Sequence, residues 1–184
     1  ITSNNFYGGY LAGRHLISRG YRHIAYVASR KFRSSIERYQ GLVAALTEAG
    51  ASVDLSMMAF GGPWDASNPE GYLAARRILR SGRPVDAFFC YNDRIAQGVR
   101  RAILEEGLVI SEQIGLIGYE NEETCLAVDP RLSSVSMQNE EIGRKAAEVL
   151  WRMIHKEPVE KLAPYVFQPE LVDRANTIRV WSLL

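Results

Sequence analysis

Cysteine, histidine and net charge are all scarce in this sequence. It has two cysteines and three histidines in 184 residues, and its 22 Lys and Arg are almost cancelled by 21 Asp and Glu. Cys90 and Cys125 are too far apart for a metal or redox pair, and Cys90 lies inside an apolar run where a buried reduced thiol is expected. A formal charge of +1 argues against this segment gripping nucleic acid by itself, because phosphate contacts need a concentrated basic surface. It argues equally against a membrane-surface patch, and no apolar run is long enough for a spanning helix. Ile1–Asn5 shows no basic region followed by an apolar stretch, so no secretory signal is expected and the expected compartment is the cytoplasm. There is no G-x-x-x-x-G-K-[ST], H-E-x-x-H, G-x-S-x-G or C-x-x-C, and His15, His23 and His155 are scattered. The expectation is a protein that is not an enzyme, with no cofactor and no metal site. Internal repeats, low-complexity tracts and charge blocks are also missing.

What is present is a globular balance, with 47% hydrophobic and 23% charged residues, and a regular alternation of patterns. Residues 4–19 read as a helix stopped by Gly20, and 23–28 as a strand. Residues 34–49 read as a helix, with Ser34 and Glu37 at capping-box spacing, and 56–60 as a short strand. Asn68-Pro69-Glu70 opens a helix running to about Ser81. Residues 85–91 are an almost wholly apolar strand, 93–106 a helix, and 114–118 another buried strand. Alternation of this kind implies an α/β fold, with parallel strands, right-handed crossovers and helices on both faces. After Gly118 the rhythm changes: 119–133 reads as a loop, 134–137 as a strand, and Asn139 as the cap of an amphipathic helix. A last strand over 165–172 is split or confined to an edge by Pro164 and Pro169.

Open α/β sheets bind ligands beyond the carboxyl ends of their strands. Here those ends carry Ser29–Ser34, Gly61–Asp65, Tyr91-Asn92-Asp93 and Tyr119-Glu120-Asn121, a set of aromatics, carboxylates, amides and arginines. An aromatic wall with convergent polar groups suits a small polar ligand. Each residue also has a plainer reading: Asn92 or Asp93 as a helix cap, Trp64 as loop packing beside Gly62-Pro63, and Arg38 as a solvated charge.

Six segments, in order and covering nearly the whole chain, resemble the lactose-repressor (LacI/GalR) family of bacterial transcription regulators. They are residues 8–28 (GGYLAGRHLISRGYRHIAYVA), Arg38–Gly41, Asn92–Gly98 (N-D-x-x-A-x-G), Ile114–Tyr119, Pro130–Val135 and Leu171–Arg174. The resemblance implies the core of a periplasmic-binding-protein-like type I fold, with two lobes closing on an effector. It assigns residues 1–22 to the N-terminal lobe, 23–133 to the C-terminal effector-binding lobe, and 134–184 to a crossover back with a tail. The family's helix-turn-helix headpiece and the first part of its N-terminal lobe have no counterpart here, so the chain reads as a piece lacking its N-terminal part. The partners implied are a small-molecule effector (a sugar or related metabolite), operator DNA through that absent domain, and a second copy in a homodimer. Family effector contacts map to Arg38, Asn92 with Asp93, Glu120 and Gln138, with Trp64 as the usual loop aromatic and Phe32 or Ser34 before Arg38. Glu120 stands where the family usually has Asp, so the pocket has a different size. A periplasmic sugar-binding protein of a transport system is the alternative; the N-D-x-x-A-x-G and L-V-x-R matches favour the regulator.

Overall fold

The structure, a computed structural model, describes residues 1–28, 32–51, 54, 58–60, 68–159 and 164–178. Its centre is a six-stranded sheet in the order β3 (Met58–Phe60), β2 (Ile24–Ala28), β4 (Ala87–Cys90), β5 (Gly115–Tyr119), β6 (Ser133–Ser136), β8 (Glu170–Val172). The first five are parallel and β8 is antiparallel to β6. Strands β2, β4 and β5 are buried along their whole length because helices cover both faces. Their side chains alternate. Tyr26, Phe89, Ile117 and Tyr119 meet Leu16 and Leu42 of α1 (Asn5–Ser18) and α2 (Arg33–Glu48), whereas Val27, Phe88, Cys90 and Leu116 form the other core. That second core takes in Ala74, Ala75 and Ile78 of α3 (Asn68–Leu79) and Ile95, Val99 and Ile103 of α4 (Asp93–Glu105). Both cysteines are buried free thiols, and burial pushes Cys125 up to about 12.

A separate two-stranded parallel sheet joins β1 (Thr2–Ser3) to β7 (Val166–Phe167). The expected strand over 165–172 is therefore split, with Pro169 between β7 in one sheet and β8 at the edge of the other. Residues 1–22 divide in the same way. The resemblance assigns them to the N-terminal lobe; α1 buries Ala12 and Leu16 in the core of the six-stranded sheet, and β1 pairs in the other sheet.

Two expected caps differ. Helix α2 starts at Arg33 behind Phe32, which makes no side-chain capping bond. Ser34 instead meets the Tyr91 hydroxyl at 3.1 Å, and Glu37 takes Arg33 at 2.7 Å, so the capping box is not used. Helix α5 (Asn139–Ile154) has Gln138, not Asn139, at its capping position, in the left-handed region at φ 59. No residue of α5 is buried; Leu150, Trp151, Met153 and Ile154 are all exposed. The expected loop at 119–133 contains a 3-10 turn, Glu123–Leu126. The tail, silent in sequence, closes on the sheet through buried Asn176, which accepts from the Ser133 amide at 2.7 Å and donates to the Leu116 carbonyl.

Candidate functional site

Parallel order brings the carboxyl ends of β2, β4, β5 and β6 to one edge, and Arg38 of α2 reaches across it. The residue is only 2% exposed. Its Nε donates to Asn5 Oδ1 at 3.0 Å, Nη1 donates to the Tyr91 carbonyl, and Nη2 meets Met137 Sδ at 3.5 Å. The guanidinium lies 3.5 Å from the Tyr119 ring centroid and 4.5 Å from that of Tyr91. These hydrogen-bond partners are uncharged, so the buried charge is held by carbonyl and amide dipoles and by the negative faces of two rings. The three bonding partners belong to three junctions: β1 to α1, β4 to α4, and β6 to α5.

The end of β5 makes an unusual turn. Glu120 and Asn121 are both non-glycine residues with positive φ, 98° and 56°. The Glu120 amide donates to the Val135 carbonyl at 2.8 Å, and the Asn121 amide to Ser134 Oγ at 3.0 Å. Asn121 Oδ1 in turn accepts from Arg174 at 2.7 Å. These bonds over-determine the turn, which offsets the cost of its backbone conformation. Burial pushes the Glu120 carboxyl above its ordinary 4.5; the Arg38 charge pulls it back, and Glu122 and Asp93 raise it further. An acid raised by folding carries no penalty below its unfolded value and the whole penalty above its folded one. The Glu120 contribution to stability therefore falls as pH rises from 4.5 through the higher folded value. Urea midpoints at about pH 4 and about pH 7 are expected to show Glu120→Gln gaining on the parent protein at the higher pH. A constant difference between the two proteins would contradict this.

The other expected contacts occupy different stations. Asn92 is buried and its Oδ1 accepts from the Ile95 amide at 2.9 Å, so it caps α4. Asp93 is fully buried, and its two oxygens accept from Ser134 Oγ at 2.7 Å and the Glu122 amide at 2.8 Å. Gly118 makes room for it, since a Cβ there would stand 2.0 Å from Oδ1. Asp93 therefore braces β4, β6 and the 119–126 turn against one another from behind the rim. Burial raises its carboxyl, and the Ser134 and Glu122 bonds oppose the rise. Gln138 turns away from Arg38 and donates to Glu170 at 3.0 Å, although its neighbour Met137 touches the guanidinium. Phe32 is 47% exposed at the start of α2. Trp64 lies outside the described residues. Ser34, Asn5 and Ser3 line an open cavity of about 690 Å³ between the β1–β7 sheet and the first turns of α2. The structure thus brings Arg38, Ser34 and Glu120 to one rim and adds Tyr91, Tyr119, Asn5 and Met137. Tyr91 and Tyr119 were visible as aromatics at strand ends; nothing in the sequence pattern marked Asn5 or Met137. Among the described residues there is no group of three or more potential metal ligands.

Comparison with known proteins settles the family. The periplasmic binding protein-like domain model matches residues 14–177. The chain belongs to that family. The transcriptional repressor PurR of Mannheimia succiniciproducens is 32% identical over 182 residues, 98% of this chain and 53% of its own length. PurR of Pasteurella multocida is 33% identical over 179 residues, 96% of this chain and 52% of its own. Among solved structures, the complex of the transcriptional regulator CelR with cellobiose superposes with a TM-score of 0.86 at 28% identity, covering 95% of this chain and 52% of that one. A LacI-family regulator from Enterococcus faecium with bound ribose gives 0.83 at 28% identity, covering 97% and 65%. The lactose-repressor resemblance and the periplasmic-binding-protein-like fold both hold for this family member. The chain spans about half the length of the curated relatives it matches.

Proposed function

We propose that this chain is the effector-sensing core of a cytoplasmic, DNA-binding transcription regulator. It binds a small polar metabolite, a sugar or related compound, at the rim around Arg38, and it does no catalysis. The observation that carries the reading is the position of Arg38: one buried guanidinium at the carboxyl edge of a parallel sheet touches two of the junctions where the chain passes between the two sheets. A ligand accepting hydrogen bonds from Arg38 competes with Asn5 and Met137 for the same group. Its binding energy then differs between arrangements of the two sheets, which is what a ligand needs in order to shift a conformational equilibrium. Operator DNA is contacted through a helix-turn-helix domain, with the protein acting as a homodimer. The regulator is favoured over a periplasmic sugar-binding protein because the relatives named above are transcriptional repressors and regulators. A sugar is the favoured effector because two of the similar structures hold cellobiose and ribose.

Calorimetric titration against ribose, cellobiose, other sugars and polyols, hypoxanthine and guanine tests the reading. One saturable ligand is expected. No binding to any of them would overturn it.

A further inference from the structure

We infer that Tyr91 is a positioning residue of this site: its carbonyl, ring and hydroxyl set where Arg38 and Ser34 stand when they meet a ligand. The inference rests on the reading of the Arg38 rim as the effector site.

Tyr91 is the first residue beyond β4. Its amide donates to the Val27 carbonyl at 2.8 Å, so it prolongs the β2–β4 ladder by one residue and its backbone is fixed by the sheet. The side chain packs against both hydrophobic cores. From that anchored position it acts on α2 in three ways. The carbonyl accepts from Arg38 Nη1. The ring supports the guanidinium at 4.5 Å, with Tyr119 on the same cation at 3.5 Å. The hydroxyl lies 3.1 Å from Ser34 Oγ, and Ser34 lines the cavity. Ser34 and Arg38 are four residues apart on one helix and so share a face. One residue therefore contacts two polar groups of α2, Arg38 and Ser34. Either oxygen of the Tyr91–Ser34 pair can be the donor. The pair can thus present a proton or a lone pair to a ligand hydroxyl, which suits a polyhydroxylated compound.

The test combines NMR of the arginine side chains with calorimetry, on the parent protein, Tyr91→Phe and Tyr91→Met, using ribose, cellobiose and hypoxanthine as probes. In the parent protein and in Tyr91→Phe the Arg38 guanidinium protons are expected to be displaced by the two rings and slow to rotate. In Tyr91→Met, which keeps bulk without a ring, both signatures are expected to weaken. For whichever probe binds, Tyr91→Met is expected to lose about tenfold or more in affinity, because the ring support is gone. Tyr91→Phe is expected to lose about fivefold, the effect of one hydroxyl hydrogen bond. Arg38 signals unchanged in Tyr91→Met would overturn the inference; if that variant does not fold, parent-like affinity in Tyr91→Phe would do so. If no probe binds the parent protein, the effector reading fails by itself, and the NMR signals still decide whether Tyr91 holds Arg38.

Discussion

Gly41→Ala is expected to destabilise the protein by about 3 kcal/mol or more and to lower its thermal midpoint by roughly 10 °C. Alanine is ordinarily the better helix former by about 1 kcal/mol, so intrinsic propensity predicts the opposite sign. Packing decides. Helices α1 and α2 cross so closely that a Cβ on Gly41 would lie 1.9 Å from the Phe6 carbonyl oxygen and 2.6 Å from the Tyr10 amide. The relation is reciprocal, for a Cβ on Gly9 would lie 1.9 Å from the Arg38 carbonyl oxygen. The obstacle in each case is backbone, which no change of rotamer relieves. The helices would have to part, loosening Leu16, Leu42 and Leu46 from the core. Gly143, on α5, has nothing within 4 Å of the same added atom. Gly143→Ala is therefore expected to be neutral or slightly stabilising, and thermal melts of the two variants side by side make the comparison. Equal melts would mean that α1 and α2 do not approach this closely.

Arg38→Lys is expected to reduce effector affinity by about 10- to 100-fold while leaving the circular dichroism spectrum of the parent protein intact. Lysine keeps the charge but loses the planar fork, and it is the fork that meets Asn5, Tyr91 and Met137 at once while lying against two rings. A mutant that binds as tightly as the parent protein would take Arg38 out of the site. Arg38→Ala is a poorer probe, because it also strands the Asn5 and Tyr91 acceptors in a buried setting.

The centre of the main sheet was legible because β2, β4 and β5 are buried on both faces and so read as short apolar runs between helices of clear period. Pro169 likewise announced the break between β7 and β8. Ser34 stands at capping-box spacing, yet its side chain serves Tyr91 and not its own helix. Gln138 and Asp93, both expected at the rim from the sequence, are held by Glu170 and by Ser134. At the site, Arg38 and Glu120 came from motif position and the tyrosines from their place at strand ends. Asn5 and Met137 stayed hidden because their role exists only once β1 and β6 are brought beside α2, a proximity with no local signature.

Strand β8 reaches the edge of the main sheet only after the chain has left through β6, run the length of α5 and paired β7 with β1. During synthesis, β6 therefore waits as a bare rim of unpaired amides and carbonyls until Glu170–Val172 arrives. Among the described strands this pairing is the last of the main sheet to be completed along the chain, although β2 and β4 lie further apart in sequence. A chain interrupted before residue 170 leaves that side of β6 without its partner strand and open to pairing with another molecule.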